Sequence, residues 1–285
     1  MNIMKYRPLF YFISITLIVA SIFSIIFWGF KYSIDFSGGS SWQFTLPSQP
    51  DKSQLEEIFQ KQKIPLHSIS QNNDQYTLKF DNIDTNQKNN LVEAVTKIDS
   101  EYSESNFETL GPLLGRELLK KTIYALILSA TFLLIFIATR FNDASFGISA
   151  ILAMLHDTII LLGTFSALGH FFGAEIDALF VTALLTTLSS STHDTVVTFD
   201  RIRELKSHQT KIDWKQLANR AVSEVIVRSI NNSMTIIFML LALVFLGADS
   251  TRWFSTALLI GVICGTYSSV GVAIPLMLLS KKNKK

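Results

Sequence analysis

The chain has 285 residues, 48% hydrophobic and 17% charged, with a formal net charge of +2 and a mean hydropathy of +0.32. This balance excludes an ordinary soluble globular protein and marks an integral membrane protein with one polar insert. So small a net charge leaves no basic footprint for nucleic acid, and the single cysteine, Cys264, allows no disulfide within the chain.

Six apolar runs approach the roughly 20 residues that span a bilayer. The first, Leu9–Phe30, follows Lys5 and Arg7 as a signal peptide would. It is longer than a signal-peptide core and ends in Trp28–Gly29–Phe30 rather than at a small-residue cleavage site. Residues 1–30 are therefore read as a retained first span.

The polar insert, residues 31–121, has periodic elements of its own. Trp42, Phe44 and Leu46 alternate with polar neighbours as in a strand. Asp51–Lys63 has a helical stripe of Leu55, Ile58 and Phe59. His67–Gln71 and Gln75–Phe80 flank Asn72–Asn73–Asp74, a hairpin turn by composition. Asp84–Lys97 carries a second stripe, and Ser103–Leu110 reads as a last strand. The order βαββαβ predicts an α+β domain of the ferredoxin-like split type. Glycines punctuate both ends, in "IDFSGGS" (Ile34–Ser40) and "ETLGPLLGREL" (Glu108–Leu118). Each alone is an ordinary turn signal.

The other five spans are Thr122–Thr139, Ala144–Leu168, Ile176–Phe199, Ser229–Gly247 and Trp253–Ser280, forming a bundle over 122–280. Basic residues sort to one side. Lys5, Arg7, Arg140, seven residues of loop 200–228 and the tail 281–285 stand against Arg252 alone in the short outer loops. This predicts both termini in the cytoplasm and the insert outside it. Within the inner loop, Asp213–Val225 is amphipathic and reads as a helix lying on the membrane surface.

Spans three and four each carry a His-Asp pair, His156–Asp157 and His193–Asp194. An ionised group deep in lipid is costly, so such groups face the bundle interior or water. They form either a functional polar path or a satisfied crosslink between helices. Residues three and four apart share a helix face. Asp194 thus lies with Ser190, Ser191 and Thr198, while His193 points about 100° away; together they form one wide polar stripe. A negative charge there needs a partner. At about 1.5 Å per residue, Asp194 and Arg228 fall roughly 27 and 28 Å from the outer ends of spans four and five, which permits a pair. In the sixth span Ala257, Gly261, Gly265 and Ser269 recur every fourth residue. That is a close-packing face, used within the chain or towards another. The sequence has no Walker A motif, no His-Glu-x-x-His and no Gly-x-Ser-x-Gly, so it is not read as an enzyme.

In order and spacing, these motifs resemble the SecF family, subunits of the bacterial SecDF protein-translocation complex related to resistance-nodulation-division transporters. The likeness runs through "DFSGG" (Asp35, Gly38, Gly39), "GPLLGREL" (Gly111, Pro112, Gly115) and "HD" in span three. It continues in "DTVVTFDRIRE" with Arg201, Arg203 and Glu204, in "SINNSMT", and in "GTYSS" beside Gly265. The resemblance implies a polytopic α-helical protein of the bacterial inner membrane with SecD as partner. It also implies work with SecYEG and SecA on unfolded preproteins, driven by the proton-motive force without a cofactor. Asp194 and Arg228 match the family's proton-path aspartate and arginine. The residue pattern adds His193, His156 and Asp157 to that path and Ser190, Ser191 and Thr198 to its lining. The chain departs from the family where Ser189–His193 replaces Gly-Tyr-Ser-(Ile/Leu)-Asn, and where Ser229 and Asn231 stand in place of threonines. A carboxylate among hydroxyls also suits Na⁺, which stands as the alternative coupling ion. A lipid or small-molecule exporter and a purely structural subunit are the alternative functions.

Overall fold

The computed structural model describes residues 2–141, 143–207 and 213–282. It has two compact units, Tyr32–Tyr124 and the remainder, Met1–Lys31 with Ala125–Lys285. After a 3₁₀ turn at Ile3–Tyr6, an apolar helix, α1 (Arg7–Trp28), leads to the polar unit. There a helical turn, α2 (Ile34–Ser37), precedes β1 (Gly39–Thr45), α3 (Lys52–Lys61), β2 (Leu66–Asn72), β3 (Gln75–Phe80), α4 (Thr85–Thr96) and β4 (Ser103–Leu110). The strands form one sheet in the order β2-β3-β1-β4, with every neighbouring pair antiparallel.

Period-two burial explains the sheet. Trp42 and Phe44 of β1 and Tyr76, Leu78 and Phe80 of β3 all point to one face. They are buried with Leu55 and Phe59 of α3 and Leu91 and Val95 of α4. The expected Asn-rich hairpin is present, with Asn73 at φ 55°. α4 opens on a reciprocal cap. The Gln87 amide donates to Asp84 Oδ1 at 2.7 Å, and the Asp84 amide donates to Gln87 Oε1 at 3.0 Å.

The two glycine-marked ends of this unit are one joint. Gly38 sits at φ 77°, and a Cβ there would lie 2.7 Å from Pro112 Cα. A Cβ on Gly115 would lie 2.9 Å from the Gly38 amide nitrogen and 3.1 Å from the Phe36 carbonyl oxygen. Backbone therefore packs on backbone where the chain enters and leaves the unit.

The second unit contains α6 (Ala144–Phe172), α7 (Ala178–Ser207), α8 (Trp214–Leu246) and α9 (Asp249–Ser268), a π-helical turn (Ser269–Ala273) and α10 (Ile274–Lys282). The unit boundary, Tyr124–Ala125, falls inside α5 (Pro112–Arg140). Among the described residues, five helices are long and apolar enough to cross a membrane. The fourth expected span, α7, is not among them, although it runs for 30 residues. Its threonines, serines, His193 and Asp194 make it too polar by composition. The sixth expected span is interrupted by the π turn. Pro275 has no amide to donate to the Gly271 carbonyl, which favours such a break.

One expectation is overturned. Asp213–Val225 does not form a separate surface helix, because Trp214–Leu246 is a single helix of 33 residues. No proline or glycine lies within it to break it. Its apolar side, with Leu217, Ala218, Ala221, Val222 and Val225, is buried. The first four join a core of Phe146, Phe199, Ile202 and Met277. Ile3 and Met4 join the same core, and the Met4 amide donates to Asn219 Oδ1 at 2.8 Å.

Gly38→Ala is expected to weaken the polar unit by about 1–3 kcal/mol, because it adds a Cβ at positive φ against Pro112. The loss would be read as faster hydrogen exchange at the Trp42 and Phe44 amides. Unchanged exchange would contradict a tight joint.

Candidate functional site

α7 and α9 come together because glycine allows it. A Cβ on Gly261 would overlap the side chain of Thr187, and one on Gly265 would lie 3.0 Å from Ser191 Cβ. The small-residue stripe of the sixth span is therefore used within the chain. α6 closes against α1 in the same way, with Gly163 facing Ser21. Ser166 Oγ lies 2.9 Å from the Ser24 carbonyl oxygen and 2.6 Å from that of Gly29.

The close approach of α7 and α9 brings two hydroxyls onto one carboxylate. Ser191 of α7 donates to Asp157 Oδ2 at 2.5 Å, and Ser268 of α9 donates to the same oxygen at 2.6 Å. His156 Nδ1 meets Asp157 Oδ1 at 2.9 Å. His156 and Asp157 are 3% and 7% exposed, so three helices converge on a buried carboxylate. Asp157 thus meets one side chain from each of α6, α7 and α9.

Asp194 has a different setting. It is half-buried, and its Oδ2 accepts from Ser229 of α8 at 3.4 Å. It lines an open groove of about 570 Å³ with Leu185, Thr186, Ser189, Ser190, His193 and Asn232. His193 is exposed there. Thr198 is buried and donates to the Asp194 carbonyl at 3.0 Å. The single polar stripe expected on span four is thus two faces. Ser191 turns inward to Asp157, while Ser190, His193 and Asp194 turn to the groove.

The Asp194–Arg228 pair is not made. Among the described residues no ion pair joins the two, and Arg228 lines a separate cavity of about 540 Å³ with Asp200, Arg201, Glu204 and Glu224. The depth estimate is right to within one residue but blind to rotation. Ser229, about 100° further round α8, is the residue that faces Asp194.

Arg201, Arg203 and Glu204 lie apart from both carboxylates and tie helix ends together. Arg201 reaches Glu204 at 2.6 Å and Glu224 of α8 at 2.5 Å. Arg203 meets Asp200 at 3.3 Å, and Asp200 also pairs with Arg140 of α5. Gly38, Gly111, Pro112 and Gly115 belong to the joint of the polar unit, while Asp35 lies in α2 and Gly39 opens β1 beside it. Sequence reasoning missed Asp200, Glu224 and Ser268. The spacing of Asp200 and Arg203, three apart on one helix, was a usable signal.

Residues 90–283 match the family described as "Protein export membrane protein SecD/SecF, C-terminal". The "Protein translocase subunit SecF" of Thermobaculum terrenum is 38% identical across 99% of this chain and 94% of its own length. This chain belongs to the SecF family. The SecF of Sebaldella termitidis is 32% identical across 100% of this chain and 93% of its own. The crystal structure of SecDF from Thermus, described as a translocon-associated membrane protein, matches 99% of this SecF-family chain with a TM-score of 0.88 and 28% identity. A second SecDF structure, in the super-membrane-facing form, matches with a TM-score of 0.72 and 27% identity. The SecF-family chain spans 39% of the length of each of these SecDF chains.

Asp157→Ala is expected to destabilise the chain by about 3–5 kcal/mol, because it strands a buried imidazole and two hydroxyls. Glu224→Gln, in the exposed network, is expected to cost far less, because solvent screens its ion pairs. Thermal unfolding in detergent measures both. Equal losses would contradict the difference in burial.

Proposed function

We propose that this chain is the SecF subunit of a SecDF translocase in the bacterial inner membrane. It pairs with SecD and uses the proton-motive force to promote export of unfolded preproteins after SecYEG and SecA. On this reading it is a transport subunit and not an enzyme, and it needs no cofactor. The observation that carries the proposal is the polar flank of α7. Ser189, Ser190, His193 and Asp194 line an open groove, on a helix otherwise packed between α6, α8 and α9. A polar face at that depth needs another polypeptide to cover it, since lipid cannot. SecDF chains are more than twice as long as this one, and the additional length supports SecD as that cover.

On this reading α7 is the fourth of six spans and both termini are cytoplasmic. The sheet unit is a ferredoxin-like domain on the periplasmic side, as its βαββαβ order and its strand order support. Asp194 is the group that takes up and releases the proton. Neutralising it weakens its hold on Ser229 and changes how α7 meets α8, while Arg228, one residue before Ser229, keeps a positive charge near that level. Moving one charge through the membrane potential supplies about 2.3 kcal/mol per 100 mV, enough to bias such a change.

Asp194→Asn is expected to abolish proton-dependent stimulation of preprotein export while leaving membrane insertion and co-purification with SecD intact. Full stimulation in this variant would sink the proposal. Replacing the proton gradient with a sodium gradient tests the coupling ion: stimulation by sodium alone would reassign it.

A further inference from the structure

The sheet of the polar unit ends in two edges, and they are not alike. β4 carries Glu104 and Glu108, and its register with β1 shifts between Gln43 and Phe44. Charge and a bulge are means by which an edge strand keeps other strands from adding to it. β2, Leu66–Asn72, reads LHSISQN, with no lysine, arginine, acid or proline. Its one irregularity lies at its start, between Leu66 and Ser68. We infer that the outer edge of β2 is a strand-addition site, and that its ligand is an extended segment of the exported polypeptide. The inference rests on the proposed export function for the identity of that ligand, but not for the site.

The backbone fixes which groups are on offer. Asn72 pairs with Gln75 across the turn Asn73–Asp74, and Ser70 and Ser68 pair with Thr77 and Lys79. In an antiparallel hairpin closed this way, alternate residues bond across the pair. The Asp74 carbonyl sets the phase. It accepts from the Leu46 amide, just past β1, at 2.8 Å and so faces away from β2. Asn72, Ser70 and Ser68 therefore turn their amides and carbonyls to β3. Ile69 and Gln71 turn theirs outward, as a row of donors and acceptors. Among the described residues no protein group bonds them. Every residue of β2 is exposed or half-buried, so a strand could reach this row.

The side chains along this edge select for backbone and not for sequence. Ser68, Ser70 and Asn72 lie on the open face of the sheet, and Ile69 and Gln71 on the face that the helices cover. Gln71 is already engaged, since its Nε2 donates to the Tyr76 hydroxyl at 2.8 Å. β2 has no tryptophan, tyrosine or arginine, the usual anchors of a folded partner. Strand addition draws its affinity from main-chain hydrogen bonds, which any sequence can make. A preprotein in transit is a ligand of that kind: it is extended, its sequence varies, and its own amides and carbonyls are unpaired while it is unfolded. Bonds exchanged with water hold it weakly, so it can move on.

The test is photo-cross-linking from benzoylphenylalanine in place of Ser70, in the full chain with SecD, in inner-membrane vesicles holding SecYEG, SecA and a secretory preprotein stalled in transit. The expected result is a cross-link to the preprotein. Its yield should fall about five-fold in Ile69→Pro, which removes one outward amide and no bond to β3. Should Ile69→Pro loosen the sheet, seen as faster hydrogen exchange at the Trp42 amide, Ser68→Lys takes its place. It puts a charge on the edge, as β4 has, and the same loss is expected. A cross-link to SecD or to a second copy of this chain in place of the preprotein, no cross-link, or a yield that the substitution does not lower would overturn the inference. Asp194→Asn separates the two readings. A preprotein cross-link in a chain whose export ignores Asp194 would end the proton-coupled reading alone. No cross-link in a chain whose export depends on Asp194 would end this inference alone.

Discussion

The close approach of α7 and α9 is the constraint on which the bundle depends. It is a steric matter first. Gly261 and Gly265 leave room for Thr187 and Ser191, and no side chain larger than hydrogen would fit there. The electrostatic consequence follows. With the helices this close, Ser191 and Ser268 reach one oxygen of Asp157, and a carboxyl group that would be costly to bury alone has hydrogen-bond partners. Small residues and a buried carboxylate are usually discussed as separate signals; here neither arrangement holds without the other.

α7 divides its polar residues between two tasks. Its inward side answers Asp157 and is sealed. Its other side carries Asp194 into an open groove with a single long hydrogen bond from Ser229. The sealed carboxylate has three bonds and the open one has few, so the second is free to change partners. At one end of the bundle, Arg140, Asp200, Arg201, Arg203 and Glu224 join α5, α7 and α8.

Much of this was legible in the sequence. Period two in Trp42, Phe44, Tyr76 and Leu78 gave the sheet and its buried face, because burial of large apolar groups dominates in so small a unit. The helices were legible from hydropathy, α7 among them, although its polar residues serve partners that hydropathy does not see. Depth along a helix was also readable, which is why Asp194 and the Ser229 region fall level. Rotation about the helix was not. One residue turns a side chain through a quarter of a circle, and only packing decides which residue faces in. That is how Arg228 took the place of Ser229 in the sequence reading. The joint of Gly38 with Pro112 was invisible for another reason: it relates segments some seventy residues apart, and each glycine alone signals only a turn.

The polarity of α7 bears on how such a chain is built. A helix with two hydroxyl-rich faces, a histidine and an aspartate gains too little from lipid to stay in a bilayer by itself. As a span, it has to enter with α6, α8 or α9 already alongside to supply hydrogen bonds, or be drawn in after them. On the six-span reading, membrane integration of this chain is a cooperative event in which assembly precedes full insertion. Substitutions at Gly261 or Gly265 would show themselves first in biogenesis, as a helix left outside the membrane, before any transport step could be measured.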